Sequence, residues 1–131
     1  MEEIVKSYIA GLIDGEGSIL LTKKNKWRYP AVSISSTTIE MLNFLIPLYG
    51  GCISQKRHLN KNYLTEYQYS VVYDKAILLL KDILPYLKHP IKKQRAELII
   101  NDYKKVTKRN GKYNSEEIKR KEEFENKFFS Y

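Results

Sequence analysis

Apolar positions change their spacing along the chain, and the changes divide its beginning into a helix and two strands. Between residues 3 and 13, apolar side chains recur at every third or fourth position, which is typical of a helix with one buried face. Apolar and polar residues alternate over 18–24 and again over 29–36, as in strands that pack one face on a core. The turn-forming residues 14–17 are predicted to end the helix, and the polar pair 25–26 to join the strands.

A second helix is predicted after these strands. Thr37 and Glu40 have the spacing of a capping box at its start, and Gly50 and Gly51 would end it. Its core face is expected to contain Met41, Leu42, Leu45, Ile46, Leu48 and Tyr49.

Two further strands, at residues 52–59 and 64–73, surround a polar tip at 60–62. Aromatic and polar residues alternate in the second of them. We therefore expect one face in the core and the other outside, with Tyr67, Tyr69 and Val71 inside and Gln68 and Ser70 outside.

The rest of the chain is predicted to be helical and highly charged. Asp74 would cap a helix ending at residue 84, and Pro90 would begin another. Residues 1–131 are expected to form one domain, with a core at 1–109 and a C-terminal helical extension at 110–131. The predicted fold class is α+β, with elements in the order αββαββα and helices at the C terminus.

Composition indicates a polyanionic partner. Lys and Arg number 23 against 15 Asp and Glu, which gives a net charge of +8 and a pI near 9.4. No apolar run is long enough to span a bilayer or to serve as a secretion signal, so we expect no membrane partner and an intracellular protein. The sequence does not distinguish an organelle, a bacterial or archaeal cytoplasm, or a phage-infected cell.

Cysteine and histidine content excludes two other classes of small protein. Cys52 is the only cysteine, so an internal disulfide framework is excluded. With only His58 and His89 beside it, a structural zinc site has too few ligands.

The strongest signal is the nonapeptide at residues 9–17, Ile-Ala-Gly-Leu-Ile-Asp-Gly-Glu-Gly. A glycine inside a helix costs about 1 kcal/mol relative to alanine, so Gly11 next to Ala10 favours the close approach of a second helix. The segment resembles the LAGLIDADG motif of homing endonucleases. Six of its nine positions are identical to that motif, namely Ala10, Gly11, Leu12, Ile13, Asp14 and Gly17.

The resemblance covers nearly the whole chain and implies a fold and an activity. The family fold has a curved, antiparallel, four-stranded sheet that lies along the major groove of double-stranded DNA. A single motif copy implies a homodimer and an approximately palindromic target, with the motif helices packed at an interface formed by Ala10, Gly11, Ile13 and Asp14. The implied function is that of an intron-encoded, site-specific endonuclease making a staggered double-strand break.

On this template, the outward side chains of the sheet would face the DNA grooves. Lysines there would contact phosphates, whereas Gln and Ser can distinguish base edges. The implied DNA-binding positions are Leu20, Thr22, Lys24, Lys26, Ser33, Ser54, Lys56, His58, Gln68 and Ser70.

The catalytic roles are carried over from the motif. Glu16 matches its second acidic position, which holds a divalent metal, and the Gly15 carbonyl would add a ligand. The implied cofactor is Mg²⁺, with Mn²⁺ as an alternative. Lys92 aligns with the family's catalytic-pocket lysine, with Lys93 as the alternative, and Ser36 falls where the family has a polar pocket residue. Glu16 replaces the more common Asp.

Other interpretations remain open from the sequence. Lys92 and Lys93 also fit a basic helix start that contacts phosphate or solvent, and Ser36 also fits a helix-entry residue. A non-cleaving DNA-binding regulator, or an RNA maturase with intron RNA as its partner, would fit the same scaffold. The presence of Glu16 favours the endonuclease over the regulator.

Overall fold

The computed structural model describes residues 2–56 and 64–131. Its elements in chain order are helix α1 (Glu3–Glu16), strands β1 (Gly17–Lys24) and β2 (Trp27–Ser36), short helices α2 (Glu40–Asn43) and α3 (Leu45–Tyr49), strands β3 (Cys52–Lys56) and β4 (Glu66–Val72), and helices α4 (Tyr73–Ile83), α5 (Pro90–Val106) and α6 (Ser115–Ser130). A 3₁₀ turn, Leu84–Tyr86, follows α4.

The four strands form one antiparallel sheet in the order β1-β2-β4-β3. Its register places Ile19 opposite Val32 and Val32 opposite Val71, and all three side chains are buried. Helices α1 and α4 contact β2, and α5 contacts β1. The core therefore lies between these helices and one face of the sheet. The predicted α+β class and the alternation within β1, β2 and β4 are confirmed.

Helix α1 is longer than the sequence predicts. Residues 14–16 continue the helix instead of forming a turn, and the backbone N–H of Gly17 donates to the Ile13 carbonyl. Gly17 then begins β1 so close to the helix that an added Cβ would lie 2.7 Å from Cα of Ile13. The chain reverses here because this position carries no side chain, and Glu16 becomes the last residue of the helix.

The second helical region differs from its prediction in two respects. No capping box forms, because Ile39 is at the N-cap of α2 and makes no side-chain capping bond. The helix is also divided into α2 and α3 near Phe44, since Pro47 has no N–H to donate to the carbonyl four residues earlier.

The core face predicted for this region is only partly correct. Leu42, Leu45 and Tyr49 are buried. Met41, Ile46 and Leu48 are 37%, 38% and 41% exposed, so they do not belong to the core. Because of the break between α2 and α3, Ile46 and Leu48 point in directions that differ from those in a continuous helix.

The remaining helices follow the sequence more closely. Pro90 begins α5 as predicted. Asp74 is not the cap of α4, because Val72 occupies the N-cap and Asp74 lies in the first turn, 3.3 Å from Lys104. The predicted strand ends at 57–59 and the tip at 60–62 lie outside the described residues. In the described ranges, no helix has the length and apolar character needed to cross a bilayer.

Candidate functional site

The C-terminal end of α1 is bound by a lysine from α5. The Nζ atom of Lys92 donates to the carbonyl oxygens of Ile13 and Asp14, at 2.8 Å in each case. The last carbonyls of a helix have no partner within it, and the helix dipole makes this end electronegative, so an ammonium group is favoured there. Lys92 is half-buried. The geometry therefore fixes a positive charge one turn of helix or less from Glu16.

The side chain of Asp14 connects α1 with the segment before α5. Its Oδ2 accepts from the backbone N–H of Lys88 at 2.9 Å, and its Oδ1 accepts from that of His89 at 3.1 Å. His89 is in turn the N-cap of α5, where its Nδ1 accepts from the backbone N–H of Lys92. Asp14 thus helps to place the first turn of α5, and with it Lys92, beside the motif helix.

Glu16 and Ser36 lie close together at the C-terminal end of α1. Both line an open depression of about 340 Å³, and Glu66 from β4 lines it as well. Glu16 is exposed. Ser36 Oγ accepts from the backbone N–H of Thr38 at 3.0 Å, so Ser36 also organises the chain before α2. Both interpretations of Ser36, pocket residue and helix-entry residue, therefore agree with its position.

The donor set of this depression is one of oxygen atoms. Glu16 and Glu66 supply carboxylates, Ser36 supplies a hydroxyl group, and the Gly15 carbonyl belongs to the adjacent residue of α1. In the described part of the chain, no three His, Cys, Asp or Glu side chains are grouped as metal ligands. Mg²⁺ usually binds one or two carboxylates and completes its shell with water and substrate phosphate, so this donor set fits it.

Eight of the ten predicted DNA-binding positions lie on strands, on the sheet face opposite the helices. The register aligns Ser18, Ser33, Ser70 and Cys52 in one transverse row, and Ser35, Gln68 and Ser54 in the next. Lys56 is paired with Glu66, and Thr22 and Lys24 follow Leu20 on the same face of β1. Lys26 lies at the β1–β2 turn, with its Nζ 5.2 Å from the ring centroid of Trp27. His58 lies outside the described residues.

Two residues of the predicted dimer interface lie in the core of the chain itself. Ala10 and Ile13 are both 0% exposed. Asp14 is half-buried and is bound to the segment before α5. Gly11 is exposed, and an added Cβ there would meet nothing within 4 Å. Of the four predicted interface residues, Gly11 is thus the one whose surface is fully open.

Comparison with solved structures identifies the fold, although no family model and no curated protein matches the sequence. The homing endonuclease I-CvuI in complex with its target has a TM-score of 0.59 and 15% identity, over 93% of this chain and 95% of that one. The archaeal intron-encoded homing endonuclease I-Vdi141I, complexed with DNA, has a TM-score of 0.55 and 19% identity, over 96% of this chain and 99% of that one. The LAGLIDADG homing endonuclease I-GzeII, in complex with its DNA target, has a TM-score of 0.54 and 23% identity, over 77% of this chain and 34% of that one.

The chain has the LAGLIDADG endonuclease fold. The family resemblance stated from residues 9–17 is therefore confirmed at the level of architecture. At such low identity the likeness is one of fold, and the chemistry must be argued from the residues of this chain.

Sequence reasoning missed one member of the site. Glu66 lies 50 positions after Glu16, and only the sheet register brings the start of β4 next to the end of β2, where Ser36 pairs with Tyr67. The sequence contains one signal for Glu66, because Glu66, Gln68 and Ser70 are alternate residues of β4 and therefore lie on the same, outer face of the sheet. Glu66 is the first of these three residues and lies near the C-terminal end of α1, where it lines the depression.

Proposed function

We propose that the protein is a metal-dependent, site-specific DNA endonuclease that acts as a homodimer on an approximately palindromic target. The observation that carries this proposal is the position of Glu16. Its exposed carboxylate ends the motif helix at the edge of a polar sheet face, and the Lys92 ammonium group is bound to the same helix end. The fold is one that the DNA-bound homing endonucleases described above share.

The residues of the depression have distinct roles in this proposal. Glu16 and the Gly15 carbonyl would hold a divalent cation, for which Mg²⁺ is the expected ion and Mn²⁺ an alternative. When bound, such an ion supplies Lewis-acid activation of a phosphodiester and of a water molecule. Within the described residues, two of the three N–H bonds of Lys92 Nζ are directed to carbonyls. The third is left for a phosphate oxygen or a water, where its charge would stabilise the negative charge that develops on phosphorus.

The exposed face of α1 supports a two-fold assembly. Ile4, Tyr8, Gly11 and Gly15 follow one another at spacings of four, three and four residues, so they lie on one side of the helix. Ile4 is 79% and Tyr8 51% exposed, and they lie next to each other on this side of α1, so they form a contiguous apolar surface. An added Cβ at Gly15, as at Gly11, would meet nothing within 4 Å. A second α1 packed on this face would explain both features, and it would bring two Glu16 residues together near the axis.

The proposal is tested by selection from a randomised DNA library. The protein is allowed to bind in Ca²⁺, the bound pool is recovered, Mg²⁺ is added, and both the pool and any new ends are sequenced. Staggered cuts within a two-fold symmetric sequence are expected. Glu16→Gln should abolish the cuts and retain affinity for the same site, because it removes a ligand charge without changing the sheet.

Glu122→Gln provides the matched control, since it removes one exposed carboxylate on α6, away from the depression. It should cut as the wild type does. Cutting by Glu16→Gln would refute the metal assignment. A symmetric site enriched by the wild-type protein without any cut ends would instead establish the non-cleaving DNA-binding protein.

A further inference from the structure

Three apolar side chains form a transverse row on the otherwise polar outer face of the sheet. Leu20 of β1 is opposite Ala31 of β2, and Ala31 is opposite Val72 of β4. We refer to these three residues as the apolar row. Leu20 is 37% and Val72 39% exposed, whereas Ala31 between them is 6% exposed. Because Ala31 is almost completely covered, the accessible apolar surface of the row belongs to Leu20 and Val72.

The apolar row is not required by the core of the chain. The core residues of the same strands, Ile19, Val32 and Val71, point to the opposite face and are buried by the helices. On one side the apolar row is followed by the transverse row that contains Ser33 and Ser70. Apolar groups between hydroxyl groups on an exposed sheet face are explained when a partner covers them with an apolar group of its own.

The charge around the apolar row indicates which partner this is. Lys24 and Lys26 lie beyond it at one end of the sheet, Lys56 lies on the same face at the other end, and the chain carries a net charge of +8. This distribution is complementary to two phosphate backbones on either side of a groove. In the major groove of DNA, the apolar group that distinguishes one base pair from the others is the C5-methyl group of thymine.

We propose that the apolar row binds the C5-methyl group of a thymine in each half of the DNA target. This inference rests on the proposed function and specifies its substrate. Leu20 lies three residues along β1 from Gly17, where the strand begins next to Glu16, which is about 10 Å at ~3.3 Å per residue. At ~3.4 Å per base pair, the thymine lies about three base pairs from the phosphate next to Glu16. The methyl group packs on the exposed side chains of Leu20 and Val72.

Deoxyuridine tests this contact, because it differs from thymidine only by the missing methyl group. In the target obtained by selection, each thymine of one half-site is replaced in turn by deoxyuridine, and the dissociation constant is measured in Ca²⁺. One thymine position should show about a fourfold loss of affinity, which is the effect expected for one methyl group no longer buried. Replacement in both half-sites should give about a fifteenfold loss. Where the preferred pair is changed to G·C, 5-methylcytosine should bind more tightly than cytosine by the same factor.

Variants of the row connect the effect with these side chains. In Leu20→Ala and Val72→Ala, the affinities for thymidine and deoxyuridine at that position should become nearly equal. Leu78→Ala is the matched control, because Leu78 is 51% exposed on α4 and outside the sheet, and it should retain the full ratio. Thermal melting of each variant confirms that it is folded.

The outcomes separate this inference from the proposed function. A protein that binds a selected symmetric site, but shows no thymine position sensitive to deoxyuridine, overturns the inference and leaves the endonuclease proposal standing. A sensitivity that persists in both Leu20→Ala and Val72→Ala also overturns it. Absence of any enriched DNA site would refute the proposed function, and the inference with it.

Discussion

Replacement of Lys121 by methionine should stabilise the protein at neutral pH. Lys121 of α6 is 1% exposed, its Nζ donates to Oγ1 of Thr107, and it lies 4.6 Å from the ring centroid of Tyr103. Among the described residues, no carboxylate forms an ion pair with it. Burial lowers the pKa of Lys121 from 10.5 to about 8, and the charge of Glu125 opposes this only in part.

The magnitude follows from this pKa. A change from 10.5 to about 8 corresponds to roughly 3 kcal/mol, which is the cost of keeping the ammonium group charged in the folded state at pH 7. Methionine has a similar unbranched shape and needs no hydration. It loses the hydrogen bond to Thr107 and the cation–π contact with Tyr103, together about 1–2 kcal/mol. Lys121→Met should therefore raise the free energy of unfolding by about 1–2 kcal/mol.

The pH dependence gives a second, independent test. The folded pKa of Lys121 lies below the unfolded value, so the unfolded state binds more protons between about pH 8 and 10.5. This side chain therefore makes the wild type more stable as pH rises through that window. The contribution of Tyr69 has the opposite sign. Burial raises the pKa of Tyr69 to about 12, and the stability it provides is lost as pH rises above 10. The difference between wild type and variant isolates Lys121.

Urea unfolding at pH 7, 8 and 9.5 provides the measurement. The advantage of Lys121→Met should shrink steadily as pH rises, and Lys119→Met, at an exposed position of α6, should change stability by less than about 0.5 kcal/mol. A variant less stable than the wild type at pH 7, with a difference independent of pH, would refute the reasoning. It would show that the contacts with Thr107 and Tyr103 outweigh the burial of the charge.

The other predictions concern α1 and its end. Lys92→Met should lower the free energy of unfolding by roughly 1–3 kcal/mol in urea titrations, because it removes two charge-assisted hydrogen bonds, and it should lower the rate of DNA cleavage by on the order of 100-fold. Lys93→Met, at an exposed position, is the control, and equal losses in both variants would contradict the assignment of Lys92. Gly11→Leu should leave the monomer folded, because a Cβ at this position meets nothing within 4 Å in the same chain, and it should abolish the dimer in analytical ultracentrifugation. A dimer that persists in this variant would exclude α1 as the dimer interface. Gly17→Ala should instead lower the melting temperature, because its Cβ would lie 2.7 Å from Cα of Ile13.

Strands β1, β2 and β4 were predictable because each has one face buried. Residues such as Ile19 and Val32 alternate with polar neighbours, and this alternation directly records which face meets the core. The pattern of apolar residues in the second helical region does not indicate which face is buried. Its apolar residues surround the helix on several sides, so the pattern could not show that Leu42 is buried and Ile46 half-exposed. Pro47 was the local sign that a continuous helix was not to be expected.

The candidate site was predictable only in part. Residues close together in the sequence could be predicted as neighbours, whereas contacts between residues far apart in the sequence could not. The motif resemblance predicts Glu16 and Lys92 as candidate residues, and the structure places both at the C-terminal end of α1, whereas the sequence predicts an earlier end for that helix. The carbonyls of Ile13 and Asp14 are bound by a lysine 79 and 78 positions away, and no local pattern contains that information. Glu66 was missed for the same reason, because its position beside Ser36 depends on the return of β4.

These contacts divide the proposed chemistry into a part that one chain forms and a part that requires a second. Lys92 reaches the end of α1 within a single chain, and Asp14 fixes the start of its helix. A single chain therefore forms the contacts that place Lys92, without a second copy or DNA. Glu16 is exposed, and no group of three carboxylate or imidazole ligands lies near it in the described ranges, so one copy alone offers a weak cation site. Association through the open face of α1 would add the Glu16 carboxylate of the second copy, and DNA would add phosphate oxygens. Cleavage would then depend on both the dimer and the bound target, because the ligands of the ion come together only in their complex.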